Sequence, residues 1–253
     1  MKSYELAALA MLSALAIVLQ YFNNVLGVQT PFGMTVDLVG VPAILALFIF
    51  GFEASIYVAA VTALAITFIA PTTWLGASMK FAATIAFPLV AAFMAYARGR
   101  NLVAIGIGGM LVAGLMTAVL LMASGTTRVM ATTAGMIGEL TLGLLPVIVL
   151  AFIAVAMARL WKRYAGEPNF KIFSAPAIFL VALVISLLVR GIAMTVANYY
   201  YAGPVFYGMS TAQVQTLFPW WLIFGWNAVQ GAVECAAAWI LAYEYRLVKY
   251  GQR

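Results

Sequence analysis

Residues 173–201 read FSAPAIFLVALVISLLVRGIAMTVANYYY. From Phe173 to Ala197 the run carries a single charged side chain, Arg190, and it then turns abruptly polar and aromatic at Asn198-Tyr199-Tyr200-Tyr201. A helix of roughly 20 apolar residues crosses the hydrocarbon core of a bilayer. The stretch therefore reads as a membrane span that ends in amides and phenols. Runs of this kind recur along the chain, and they define the expected fold class: an all-α, polytopic membrane helix bundle.

The whole composition agrees. Of 253 residues, 66% are hydrophobic and only 8% are charged. A soluble domain of this size could not cover so much apolar surface with polar groups. Punctuation by polar residues, Gly and Pro places spans at 5–22, 36–52, 54–70, 77–97, 102–123, 137–160, 173–199 and 221–245, about eight in a single integral membrane domain over 1–253. The first run has no small-residue cleavage site and is read as a span rather than a leader. One cysteine, Cys235, excludes a disulfide framework, and the absence of histidine removes the commonest metal ligand and general base.

Lys and Arg are distributed unevenly between the two sides. Lys2, Arg98, Arg100, Arg159, Lys162, Arg163, Lys171, Arg246, Lys249 and Arg253 fall on one side, and Lys80 and Arg128 on the other. The bias assigns the first side to the cytoplasm, so both termini are expected there in a multi-pass protein of the cell membrane. The formal charge of +6 is then an orientation signal and not a nucleic-acid footprint. The outer connections become 23–35, 71–76, 124–136 and 200–220. The last holds Tyr200, Tyr201, Phe206, Tyr207, Phe218, Trp220 and Trp221, which fit either an interfacial aromatic belt or a lid over a site.

A second polar-aromatic run, Trp226-Asn227-Ala228-Val229-Gln230-Gly231, lies in the last span. Asn227, Gln230 and Glu234 follow an i, i+3, i+7 spacing and share one helical face. Polar groups are costly in lipid, so this face is expected to line the bundle interior, as pocket wall or as interhelical glue. Asn198 ends the preceding span at its outer edge, within reach of Asn227. Glu234 and Arg190 are possible partners, although helical rise places Arg190 nearer the height of Asn227. Asp37 and Lys80 open two other spans on the outer side, where they pair with each other, contact a ligand, or reach headgroups. The candidate substrate-binding residues are thus Asn198, Tyr199, Trp226, Asn227, Gln230, Asp37, Lys80 and Glu234. Such a set suits capture of a flat polar molecule better than chemistry.

Enzyme signatures are missing: no lysine sits in a phosphate-binding glycine loop, and Ser–His and His-based zinc sites are impossible without histidine. No catalytic residue and no metal ligand is assigned. Active transport would then draw its energy from a partner or an ion gradient. Glu234 and Glu139 are the carboxylates that an ion-coupled carrier would use. A non-transporting scaffold is the other alternative. On the first span Ala7, Ala10 and Ala14 form a small-residue face that permits close helix approach, either as an internal seam or as a docking surface.

Four segments together resemble the S components, the substrate-binding subunits of energy-coupling factor (ECF) vitamin transporters, and most of all the riboflavin-specific type. Ala10-x-x-x-Ala14 resembles the alanine motif that docks the transmembrane T component. Asp37-Leu38-Val39-Gly40-Val41-Pro42 followed by Gly51 resembles the acidic, proline-containing start of the second helix. Asn198-Tyr199-Tyr200 with Pro204, and Pro219 with Trp226-Asn227-Ala228-Val229-Gln230-Gly231, resemble the riboflavin type's Asn-Tyr-Tyr run and last-helix Phe-Asn-x-x-Lys-Gly. Gln230 stands in place of the lysine and Gly40 in place of a second acidic residue. Residues 101–160 would insert two helices into a six-helix core. The resemblance implies capture of riboflavin or a related flavin from outside, with 23–35 and 200–220 as gates. It implies delivery with a T component and two ATPase subunits, which alone use ATP; the chain itself would need no cofactor, and Ala7, Ala10 and Ala14 would form the docking face.

Overall fold

The computed structural model describes residues 3–23, 27–30, 35–96 and 168–250, with Val155 alone between the last two segments. The expected inserted pair at 101–160, and with it Glu139, lies otherwise outside the described residues. The described chain is a helical bundle: α1 (Ser3–Tyr21), α2 (Val41–Phe50), α3 (Phe52–Ile69), α4 (Thr73–Tyr96), α5 (Pro176–Ala197), α6 (Gly203–Tyr207), α7 (Thr211–Leu217) and α8 (Trp220–Trp239). A two-stranded antiparallel hairpin, β1 (Val28–Gln29) with β2 (Thr35–Val36), lies between α1 and α2.

Four helical stretches among the described residues are long and apolar enough to cross a membrane: Ser3–Tyr21, Phe52–Ile69, Thr73–Ala95 and Pro176–Tyr207. Helix α8 has the length, 20 residues, but carries Asn227, Gln230 and Glu234. The protein is a polytopic membrane helix bundle, as its composition requires.

Two expected boundaries are corrected. The second span, read as 36–52, is helical only over the ten residues of α2, about 15 Å of helix. Residues 35–36 belong to the hairpin, Asp37 Oδ1 accepts the N–H of Val39 at 2.9 Å, and Pro42 stands in the helix's first turn. At the other end Gly51, at φ +95°, reverses the chain straight into α3, a backbone state that side-chain-bearing residues rarely adopt. The short α2 is almost entirely buried among its neighbours.

The 200–220 segment is not a loop. A π-helical turn, Asn198–Ala202, carries α5 into α6, and α7 follows after a capping box at Ser210 and Gln213. The extra residue in the π turn has a local cause in Pro204, whose ring would clash with a regular i−4 carbonyl and which has no N–H to donate. The N–H of Gly203 bonds instead to Asn198 O, five residues back.

At the end of the bundle where α2 and α8 finish and α5 begins, aromatic rings fill the core. Phe48 packs edge-on against Phe87 and Tyr243, and Phe179 stacks on Trp239 with centroids 5.2 Å apart. Trp239 Nε1 donates to Phe173 O at 2.8 Å and the Tyr243 hydroxyl to Phe170 O at 3.0 Å. Each ring's polar atom finds a carbonyl, so this base is apolar and satisfied. The polar residues gather towards the opposite end.

Candidate functional site

A cavity of about 340 Å³ opens at that opposite end. Three of the four connections expected on the outer side meet there, since Asn23, Gln29, Thr35, Pro71, Thr72, Phe206 and Tyr207 all line it; the fourth, 124–136, lies outside the described residues. Deeper, the walls are Asp37, Lys80, Arg190, Asn198, Asn227 and Gln230, with Met79, Leu75, Ile66 and Met194 as apolar surface.

Three of these wall residues, Asp37, Lys80 and Arg190, form a network of four charges with Glu234 behind them. Lys80 Nζ donates to Asp37 Oδ1 at 2.6 Å and to Glu234 Oε1 at 3.0 Å. Arg190 Nη1 donates to Glu234 Oε2 at 2.6 Å. The pairing left open by helical rise is therefore made, because the long arginine side chain reaches down from α5 to α8. Glu234 is fully buried, and its Oε1 also accepts the Gly40 N–H at 3.1 Å and Gln230 Nε2 at 2.7 Å. A Cβ on Gly40 would come within 2.5 Å of that same oxygen, so the approach of the chain to the carboxylate depends on glycine. Two carboxylates and two cations, each paired and hydrogen-bonded, make the cluster formally neutral, the arrangement that ionised groups within a membrane require.

Gln230 joins the segment before α2 to the last helix. Its Oε1 accepts the Asp37 N–H at 3.0 Å while its Nε2 donates to Asp37 O at 3.1 Å and to Asp37 Oδ1 at 3.1 Å. The amide thus pairs with the Asp37 backbone as a neighbouring strand would, holding the end of the hairpin segment on α8.

Asn198 and Asn227 behave alike. Each donates Nδ2 to the carbonyl one turn back, Met194 at 2.7 Å and Ile223 at 2.8 Å. A carbonyl partner fixes which way the amide points, since only nitrogen can donate. Both Oδ1 atoms are left without a protein partner among the described residues, on side chains that line the cavity. The wall between α5 and α8 is therefore an acceptor surface.

Of the eight residues predicted to bind substrate, Asn198, Asn227, Gln230, Asp37 and Lys80 line the cavity. Glu234 sits behind them in the ion network. Tyr199 and Trp226 are not among the lining residues. The Tyr199 hydroxyl instead donates to Phe218 O at 2.9 Å, and its ring packs with Val214 and Ile223, pinning α7 and the start of α8. The reason is geometric: on a helix Tyr199 points about 100° away from Asn198. Gln20, Asn23, Gln29, Thr35 and Thr72 join the wall without having been anticipated. Gln20 and Asn23, three apart at the end of the first span, carried an i, i+3 polar signal. Ala7, Ala10 and Ala14 lie exposed on α1, whose buried side is Leu9, Ser13 and Ala16, so the alanine face is not an internal seam among the described residues.

No protein-family model and no curated protein matches the chain. Among solved structures its fold is similar to that of the S component of a bacterial ECF transporter, with a TM-score of 0.54 and 21% identity over 100% of both chains. At that identity the likeness is one of fold. It places the chain in a structural class, the membrane helix bundle of the S-component kind.

Proposed function

We propose that the protein is the substrate-binding S component of an ECF-type importer, taking riboflavin or a related flavin from outside the cell membrane. The observation that carries the reading is a polar, amide-walled cavity at one end of a bundle with the S-component fold. Asn198 and Asn227 offer acceptors to the N–H and O–H groups of a ligand, and Lys80 and Arg190 offer donors to carbonyl oxygens. A flavin's pyrimidinedione edge has both kinds of group side by side. Tyr207, Phe206 and Met79 supply faces for its ring. In this reading both termini are cytoplasmic, and the hairpin segment and the α6–α7 region flank the entrance. The exposed Ala7, Ala10 and Ala14 meet a T component, and two ATPase subunits supply the energy.

The test is direct. Protein purified in detergent is expected to be yellow or to quench the fluorescence of added riboflavin. A colourless protein that leaves riboflavin fluorescence unchanged removes flavin as the substrate. Asn227→Ala is expected to weaken binding by about tenfold or more, as for one lost buried hydrogen bond, with thermal unfolding nearly unchanged because Ile223 O keeps its helical partner. A large loss of stability with binding intact would make Asn227 a packing element instead.

A further inference from the structure

One buried donor deepens the flavin reading, on which its role rests. Arg190 is 4% exposed and lines the cavity, yet its Nε–H has no hydrogen-bond partner among the described residues. The cause lies in how Glu234 divides its oxygens. Oε1 already receives Lys80, Gln230 and the Gly40 N–H, which leaves Oε2 for the arginine, and Nη1 takes it. Arginine thus meets this carboxylate through one bond instead of the two-bond fork, and the Nε edge of the guanidinium stays unpaired. A buried N–H without an acceptor is costly, so a molecule filling the cavity beside Arg190 gains by bringing one.

The packing of α5 on α8 sets the height of this donor. A Cβ on Gly191 would run into the Phe224 ring, and one on Gly231 would lie 3.2 Å from Arg190 Cδ. Asn227 falls between these two contacts on α8, so its side chain, whose oxygen has no protein partner among the described residues, stands level with the arginine. Along α5, Arg190, Met194 and Asn198 follow an i, i+4, i+8 spacing and all line the cavity. Asn198 lies about 12 Å further towards the outer end. The wall therefore presents a donor and an acceptor together at depth, then apolar methionine, then an acceptor nearer the entrance. A flavin has matching groups in the same order: ring carbonyls beside an N–H, a flat fused ring, and a hydroxylated tail.

We infer that Arg190 is a specificity-determining residue of the site, its Nε–H donating to a carbonyl oxygen or ring nitrogen of the ligand's pyrimidinedione edge. The N–H of that edge meets Asn227 Oδ1, and the hydroxylated tail lies towards Asn198. A molecule of the same shape without that acceptor is rejected, because Nε then stays buried and unpaired. Arg190→Lys is the change that isolates the contact: it keeps a cation for Glu234 and removes the Nε–H.

Calorimetric titration of the intact protein with riboflavin, its 2-thio, 4-thio, 1-deaza and 5-deaza analogues, and lumiflavin tests the inference. Each ring analogue weakens or deletes one acceptor, whereas lumiflavin keeps the ring and loses the hydroxylated tail. In the unaltered protein at least one ring analogue is expected to bind about tenfold to a hundredfold more weakly than riboflavin. In Arg190→Lys that analogue and riboflavin are expected to bind alike. The penalty for lumiflavin is expected to survive in Arg190→Lys and to shrink in Asn198→Ala. A ring-analogue penalty that persists in Arg190→Lys, or is absent from the unaltered protein, overturns the inference while leaving a flavin site standing. So does a lumiflavin penalty that Arg190→Lys removes, since the tail would then lie at depth. If riboflavin does not bind the unaltered protein, the flavin reading fails and takes the assignment of this edge with it. Where Arg190→Lys does not fold, the Arg190 Nε–H resonance of the unaltered protein decides. Riboflavin is expected to shift it, and an unmoved resonance on binding overturns the inference.

Discussion

A side-chain amide carries an acceptor and a donor side by side, so it can accept from a backbone N–H and donate to the same residue's C=O, and Gln230 does both to Asp37. Lysine at this position could only donate and a carboxylate could only accept. The residue therefore acts less as a ligand contact than as the join between the hairpin segment and α8, with the charge of the site provided by Lys80 from α4. Gln230→Glu keeps the shape, removes the donor and adds a third carboxylate beside Asp37 and Glu234. The expected outcome is a loss of about 2–4 kcal/mol in thermal unfolding, from broken buried bonds and like-charge repulsion, together with weaker ligand binding. Unaltered stability would mean that the join is not a structural one. At this scale the sequence was legible in part. The i, i+3, i+7 spacing put Asn227, Gln230 and Glu234 on one interior face. It could not say that Gln230 bonds a backbone 193 positions away, because nothing local encodes a long-range hydrogen bond.

Among the long helices of the described residues, α1 is the least enclosed. Its buried residues, Leu9, Ser13 and Ala16, face α2 and α3, while Leu6, Met11, Leu15 and Val18 stand exposed beside the three alanines. Small side chains on an exposed helical face allow another helix to approach closely. A substitution there disturbs no core contact, so Ala10→Trp is expected to change unfolding by no more than about 0.5 kcal/mol and to leave ligand affinity unaltered. In vesicles holding the proposed T component and ATPases it should abolish uptake; continued uptake would show that α1 is not the partner surface. The long helices were readable because hydropathy and length alone specify a span. The departures arose where local chemistry overrides hydropathy. Gly51 and the Asp37 turn cut α2 short, and the π turn before Pro204 keeps an aromatic stretch helical where polar residues and Gly203-Pro204 suggested a loop.

Viewed as one molecule, the bundle is graded along its axis, from an aromatic base at Phe48, Phe179 and Trp239, through the paired charges, to the polar cavity. The position of the ion network bears on how transport would be energised. A proton carrier must bind and release its proton within the membrane, which requires a carboxylate with a partner it can give up. Glu234 is held instead by Lys80, Arg190, Gln230 and the Gly40 N–H together. Protonating it would leave two cations facing Asp37 alone, at a cost of about 3–5 kcal/mol for a broken buried pair. Energy from outside the chain fits this construction better than a proton cycle through Glu234. Reconstituted with the proposed partners, uptake is therefore expected to require ATP and to persist when a protonophore collapses the proton gradient. Uptake by the chain alone that stops with the protonophore would reverse the conclusion. In that case Glu234→Gln, which keeps the shape but cannot carry a proton, should abolish transport while still binding ligand.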